Sequence, residues 1–304
     1  MGVLVVSRLI QAVFTLLGVS IALFFLSHAS GNPVDAFVPI EASPEDRERL
    51  IHHLGFDKPV YVQYWRFITH AVRGDFGESL RNKQPNMSLV KARFWNSIKL
   101  ASAALLWALC ISLPLGTLAA VHRGRFWDRV AMTLALFGQS LPAFFTGILL
   151  IYIFAVVFNV LPVQGAGSWK HYILPTIALG WGVSAALTRL LRSSMLEVLD
   201  SEYIKLARAK GLRESIVVWK HALRNALIPL VTFIGFTWGV IMGGAIATEV
   251  VFGWPGMARL AYEAVVTRDT PLLQSVVLVW ASIIIGANLV VDLLYGVIDP
   301  TIRA

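Results

Sequence analysis

The side chains able to do chemistry are few and lie apart from one another. Glu249 and Asp292 are acids inside long apolar stretches, and Gln139-Ser140 stand just before Leu141-Pro142 in another. His52 and His53 are adjacent, a poor geometry for a shared metal, and no His-Glu-x-x-His pattern accompanies them. The single Cys110 excludes a disulfide or a cysteine metal cluster within one chain. No Gly-x-x-x-x-Gly-Lys-Ser/Thr loop is present to cradle a nucleotide phosphate, and Asn86-Met87-Ser88 is a sequon by chance. Bond-making therefore has no constellation of residues here. What remains is polar chemistry in an apolar medium, where an unpaired charge costs roughly 2.5–3.5 kcal/mol. A structural ion pair with Arg8, Arg189 or Arg192 suits the two acids better than contact with a solute, and water or headgroups also come within reach of Glu249 at the end of its stretch.

The elements that must position these residues are apolar helices. Hydrophobic residues make up 57% of the chain and charged ones 14%, with a mean hydropathy of +0.68. Soluble domains carry about 25% charged residues, so too little polar surface is available for a water-soluble fold. The net charge of +8 comes with no basic arm or RNA-binding motif, which argues against nucleic acid as a partner. A helix needs about 20 apolar residues to cross the hydrocarbon. Spans are predicted at Leu9–Ala29, Ser97–Val121, Val130–Phe158, Tyr172–Leu191, Ala226–Phe252 and Leu272–Ile298. The first follows Arg8 as a signal peptide would, but its apolar run of roughly 18 residues exceeds a typical signal core of about 7–15 and predicts a retained helix.

Lys and Arg in short loops set orientation. Arg123, Arg125 and Arg129 share one connection, and Arg189, Arg192, Lys205, Arg208, Lys210, Arg213, Lys220 and Arg224 another, against Lys170, Arg259 and Arg268 opposite. Both termini are therefore predicted to be cytoplasmic. Ser30–Asn96 is predicted outside, because segments above about 60 residues translocate largely regardless of charge. The expected fold is an all-α integral membrane protein of about six transmembrane helices with a small helical external subdomain. Residues 1–29 form the N-terminal helix, 30–96 the external subdomain, and 97–304 a five-helix core with a cytoplasmic loop at 192–225.

Local signals sharpen this outline. Ser43-Pro44-Glu45-Asp46 reads as a helix start that Gly55 would stop; Val60–Val72 reads as a second external helix, and Gly74 and Gly77 as a turn. Pro142 removes a backbone donor and kinks the third span, either for packing or to open a polar pathway. Gly235, Gly239 and Gly243 leave one face of the fifth span nearly bare for close helix contact. Trp95, Trp169 and Trp254 at outer span ends and Trp127 at an inner one suit aromatic belts, and Lys99 snorkels to the outer interface.

The most informative stretch joins the fourth and fifth spans. Asp200 or Ser201 caps a helix with an acidic first turn and a basic last turn, and Gly211 supplies a left-handed residue after it. A second short helix runs from Ile216–Trp219 to Ala226, so two short helices about a glycine elbow are expected to form a rigid knob. A solvated basic loop drawn to anionic lipid is the other reading.

The run Tyr203…Ala207-Arg208-Ala209-Lys210-Gly211-Leu212…His221-Ala222-Leu223-Arg224-Asn225-Ala226…Pro229 resembles the coupling-loop motif of ATP-binding-cassette (ABC) importer permeases. The version is that of the dipeptide, oligopeptide, glutathione and nickel branch, in its B-type subunit. Lys205 and Leu223-Arg224 depart from the general importer motif, as is usual in that branch. The resemblance spans nearly the whole chain, through Gly31-Asn32-Pro33, Leu54-Gly55-Phe56-Asp57-Lys58-Pro59, Gly74-Asp75-Phe76-Gly77, Arg192-Ser193-Ser194-Met195, Trp254-Pro255-Gly256, Val291-Asp292-Leu293-Leu294-Tyr295 and Asp299-Pro300.

The resemblance implies a type I ABC importer permease in a bacterial plasma (inner) membrane. Its partners would be a second homologous permease subunit, two cytoplasmic ATP-binding subunits and an external solute-binding protein. Tyr203, Ala207, Arg208, Ala209, Lys210, Gly211 and Leu212 would seat in an ATPase groove. ATP and Mg would bind those partners, leaving this chain with no cofactor and no catalytic residue. Gln139, Ser140, Phe144, Trp181, Ser184, Trp238 and Met242 are candidates for lining the pathway or for ordinary packing. The solute is a dipeptide, oligopeptide, glutathione or a nickel chelate, and the short connection Leu161-Pro162…Pro175 is more like the glutathione and nickel members. A secondary transporter would show paired acids or a broken-helix pair in each half, and an intramembrane enzyme a catalytic constellation; neither is visible.

Overall fold

Leu141-Pro142 decides the course of the third predicted span. Proline has no N–H to donate and pushes the residue before it out of the helical region. In the computed structural model Leu141 is extended at φ −99°, ψ 125°, and Phe126–Ser140 meets Ala143–Val157 at 102°. The structure describes the backbone of residues 2–29, 45, 51–52 and 57–298, and their side chains except 2–5, 27–29, 244 and 291–298. The predicted helix start at Ser43-Pro44, its stop at Gly55, the motifs at Gly31-Asn32-Pro33 and Asp299-Pro300, and the Asp292 side chain lie outside the described residues.

Helices in chain order are α1 (Gly2–Ala29), α2 (Val60–Val72), α3 (Asn86–Val121), α4 (Phe126–Ser140), α5 (Ala143–Leu150), α6 (Lys170–Leu199), α7 (Glu202–Ala209), α8 (Glu214–Ile216), α9 (Leu223–Gly244), α10 (Ile246–Val251), α11 (Met257–Val266) and α12 (Thr270–Ile298). Wider π-helical turns extend α5 through Ile151–Val157 and join α8 to α9 through Val217–Ala222. Among the described residues five helices are long and apolar enough to cross a membrane, and the bent pair makes a sixth if counted as one span.

The predicted second short helix of the loop is not a separate element. Ile216 (φ −70°, ψ −42°) and Ala222 (φ −78°, ψ −52°) keep helical dihedrals, so one helix runs from Glu214 to Gly243. The reason is local: neither Gly nor Pro stands between Glu214 and Ala226, and leaving the bilayer does not by itself end a helix.

The chain divides into two compact units, Met1–Ser97 with Pro255–Ala304, and Ile98–Trp254. In the first, α1 and α11 pack on α12. Ser20 Oγ lies 2.9 Å from Tyr64 Oη, and Phe24 meets Tyr64 and Phe67 at ring centroid distances of 5.4 and 6.0 Å, fastening α2 to α1. Gly74 (φ +80°) and Gly77 (φ +69°) make the predicted turn, and Asn86 donates to the Phe76 carbonyl at 2.8 Å. Asp269 is fully buried. It caps α12 by accepting from the Leu272 N–H at 3.2 Å and grips the 79–81 turn through Ser79 Oγ at 2.5 Å and the Arg81 N–H at 3.3 Å.

In the second unit, α4, α5 and α9 pack on α6. Close approach is made by glycines: a Cβ on Gly180 would meet Ala104 O at 2.8 Å and Trp107 Cε3 at 2.7 Å, and one on Gly138 would meet Ala185 Cβ at 2.8 Å. The predicted stripe on the fifth span is graded instead: Gly239 is buried, Gly235 half-buried and Gly243 exposed.

Candidate functional site

The loop after α6 is rooted in the apolar core. Its helix α7 presents Ile204, which is fully buried beside Leu199, Met195, Val217 and Ala222. The elbow has the hydrogen bonds of a Schellman motif: the Gly211 N–H donates to Arg208 O at 2.9 Å and the Leu212 N–H to Ala207 O at 3.3 Å. Gly211 sits at φ +76°, where a side chain is strained although open space surrounds it. Arg208 reaches across the elbow to Glu214 with two hydrogen bonds, at 2.7 and 3.1 Å; that hydrogen-bonded carboxylate holds the Arg208 guanidinium above its ordinary value. Tyr203 is tied to Asn225, whose Nδ2 donates to its hydroxyl at 2.6 Å. Lys205 pairs with Glu202 at 2.8 Å. Ser201 occupies the N-cap position, but its hydroxyl donates back to Val198 O at 2.5 Å rather than capping α7. Ala209, Lys210 and Gly211 are exposed and Ala207 half-buried. Outward from the root, Tyr203, Leu206 and Leu212 expose 43%, 56% and 40% of their surface, so the tip is apolar as well as basic.

A second feature was missed by sequence reasoning. Asp128, in the first turn of α4, is buried and receives Arg192 of α6 through Nε at 2.5 Å and Nη2 at 2.8 Å. It also accepts the Gly124 N–H at 2.8 Å, which pins the preceding arginine-rich turn. The available signal was an acid in the first turn of an otherwise apolar helix, where it also suits the helix dipole.

Arg192 is thus occupied by Asp128, and Arg189 donates to Gln139 Oε1. Glu249 is fully buried, not at a solvated outer end. It lies in α10, and its carbonyl accepts the Trp254 N–H at 2.8 Å. Trp254 is likewise fully buried, its ring edge-on to Tyr172 at 4.5 Å, so it packs inside the chain and is no belt residue. Trp95, Trp127 and Trp169 are exposed by 61%, 51% and 71%.

The pathway candidates are dispersed. Gln139 and Ser140 are exposed at the helix break, with Phe144 exposed just beyond it. Trp181 and Ser184 share a cavity of about 160 Å³, where the serine hydroxyl is already donated to Trp181 O at 2.8 Å. Trp238 donates to Ser102 Oγ at 3.3 Å, and Met242 is buried.

The chain matches the family model described as binding-protein-dependent transport system inner membrane component over residues 112–304, and the N-terminal model of such membrane components over residues 1–101. It is 43% identical over 300 residues to the glutathione transport system permease protein GsiC of Salmonella paratyphi A, covering 98% of each chain. The protein of the same name from Escherichia coli K12 is 42% identical over 300 residues, again with 98% of each chain covered. In fold the chain is similar to the MetNI methionine ABC transporter in inward-facing conformations, with a TM-score of 0.60 at 18% identity over 70% of this chain and 97% of that one. The chain therefore belongs to the family of binding-protein-dependent transport system inner membrane components, as a multi-pass permease subunit of an ABC importer rather than an enzyme.

Proposed function

We propose that this chain forms half of the translocation pathway for glutathione or a related short peptide, and that the loop around Gly211 couples it to ATP hydrolysis. The solute class follows the GsiC proteins, which share 43% identity over 98% of the chain. The partners are a second permease subunit, two cytoplasmic ATPases and an external binding protein. The membrane is the bacterial inner membrane, with both termini and the 192–225 loop cytoplasmic and residues 30–96 outside. Gln139, Ser140 and Phe144 at the helix break, with Trp181, Ser184, Trp238 and Met242, line the pathway.

The observation that carries the coupling role is the rooted loop. Ile204 is fully buried while Tyr203, Leu206 and Leu212 are exposed, so a push on the tip is delivered to the core that α6 and α9 share. A merely solvated connector has no need of a buried root or of an exposed apolar tip.

Gly211→Val tests this. A branched side chain in the left-handed region costs about 1–2 kcal/mol or more, a factor of roughly 5–30 in the population of the elbow. In vesicles containing the assembled importer and its binding protein, this variant should insert normally but lose most glutathione uptake and solute-stimulated ATP hydrolysis. Gly211→Asn, which tolerates that backbone conformation, should retain most of both. Wild-type uptake and stimulation in Gly211→Val would reduce the loop to a connector.

Orientation is tested separately, in a Cys110→Ala background. Ser43→Cys should react with an impermeant maleimide from outside the cell, and Ser201→Cys only after permeabilisation. Equal external labelling of the two would overturn the topology.

A further inference from the structure

We infer that α2 lies flat in the outer interface of the bilayer, with its Tyr61, Trp65 and Val72 face seated in the acyl chains of the outer leaflet. This rests on the orientation proposed above. The contacts of α2 fix its depth. Tyr64 Oη lies 2.9 Å from Ser20 Oγ of α1, and Phe24 of α1 packs on both Tyr64 and Phe67. These ties fall within one turn of each helix, as where two helices cross. The apolar stretch of α1 long enough to span is Val6–Leu26, about 30 Å of helix, which matches the hydrocarbon core. Ser20 and Phe24 are therefore about 9 and 3 Å below its outer edge. Interfacial helices bury an apolar face about 5–10 Å into the boundary between headgroups and acyl chains, so a helix tied to these two residues is held at that height. Beside the crossing, Ile21, Phe25 and Leu26 of α1 are 43%, 53% and 68% exposed, an apolar surface suited to acyl chains at the same level.

The faces of α2 agree with that height. Spacings of four and seven put Tyr61, Trp65 and Val72 within about 40° of one another around the helix, and they are 74%, 68% and 82% exposed. Tyr64 and Phe67, which meet α1, stand about a third of a turn away. Arg66, His70 and Arg73, all exposed, take about the remaining third. A helix lying flat beside an upright one needs this three-way division: one side for the neighbour, one for acyl chains, and one for water and phosphates. Bilayer interfaces favour Tyr and Trp, and basic residues on the opposite side suit the headgroups. Contact with water would leave two large rings and a valine solvated at the depth of the acyl chains. A protein partner would account for the apolar third but not for its lying beside a basic third at the height of the headgroups. Seated in lipid, α2 holds the external segment down on the membrane, and α1 and the outer leaflet together set its height.

The test uses the assembled importer, both permease subunits and the ATPases included, in phospholipid vesicles and a Cys110→Ala background. A nitroxide is attached to one cysteine at a time, in Tyr61→Cys, Trp65→Cys, Val72→Cys, Arg66→Cys and Arg73→Cys. Its collisions with dissolved oxygen, which concentrates in acyl chains, are compared with those of a nickel chelate that stays in water. The oxygen-to-nickel ratio at Tyr61, Trp65 and Val72 should exceed that at Arg66 and Arg73 several-fold. Frequent nickel collisions at Trp65 and Val72 would put this face in water, and collisions with neither reagent would put it under protein; either result overturns the proposal. The five positions are read independently, so a variant that misfolds leaves the pattern to the others. In spheroplasts, Arg66→Cys should also react with an impermeant maleimide added outside. The lipid pattern without that reaction would overturn the leaflet, and with it the orientation. A water or protein pattern with the reaction would overturn the seat in lipid alone.

Discussion

Asp128→Ala is expected to destabilise the importer by about 3–5 kcal/mol, the usual loss when one partner of a buried ion pair is removed. The two side chains are 7% and 25% exposed, and the shorter contact is 2.5 Å. Removing the carboxylate leaves the partly buried Arg192 guanidinium without its partner and frees the Gly124 N–H that it also accepts. Arg192→Met should cost a similar amount by stranding Asp128. The double variant Asp128→Ala with Arg192→Met should recover most of either loss, because neither charge then remains buried alone. Thermal unfolding of the detergent-solubilised complex measures all three. Losses that simply add in the double variant would show that the pair is not coupled. The consequence for function is positional: the pair joins the start of α4 to α6, and α6 leads directly into the rooted loop.

Gly180→Val should be the most damaging of the glycine substitutions. Even an alanine Cβ there would stand 2.8 Å from the Ala104 carbonyl oxygen and 2.7 Å from Trp107 Cε3. A ring can turn aside, but a backbone carbonyl moves only if its helix moves. Overpacking of this kind costs about 1–3 kcal/mol for a small intrusion and more for a branched one. The expected result is a marked fall in the yield of assembled complex and in its unfolding temperature. Gly182→Ala is the control two residues along, where the nearest atom is Gly138 O at 3.4 Å, an ordinary contact. Equal yield and stability of the two variants would mean that the helices have room to separate.

What the sequence by itself determined is whatever depends on neighbours along the chain. The helix at Val60–Val72, the break at Leu141-Pro142 and the left-handed Gly211 all follow from backbone rules that act over a few residues, and all stand in the structure as expected. The spans were legible for a related reason, since a bilayer demands a long apolar run wherever it is crossed. The fusion of the loop's second helix with the fifth span was legible too, in the absence of any Gly or Pro between Glu214 and Ala226, but the membrane boundary was mistaken for a helix boundary. Tertiary structure alone decided which distant residues meet. Asp128 and Arg192 are 64 positions apart, and the rotation of α4 against α6 brings them together. Close packing of α6 against α4 at Gly138 and against α3 at Gly180 was decided in the same way, by which helices meet. Trp254 and Glu249, which their places near a span end marked as surface residues, are buried, Trp254 edge-on against Tyr172 of α6. Periodicity along one helix carries no information about which neighbour covers each face, and that is the physical reason the site's ion pairs and burial had to await the fold.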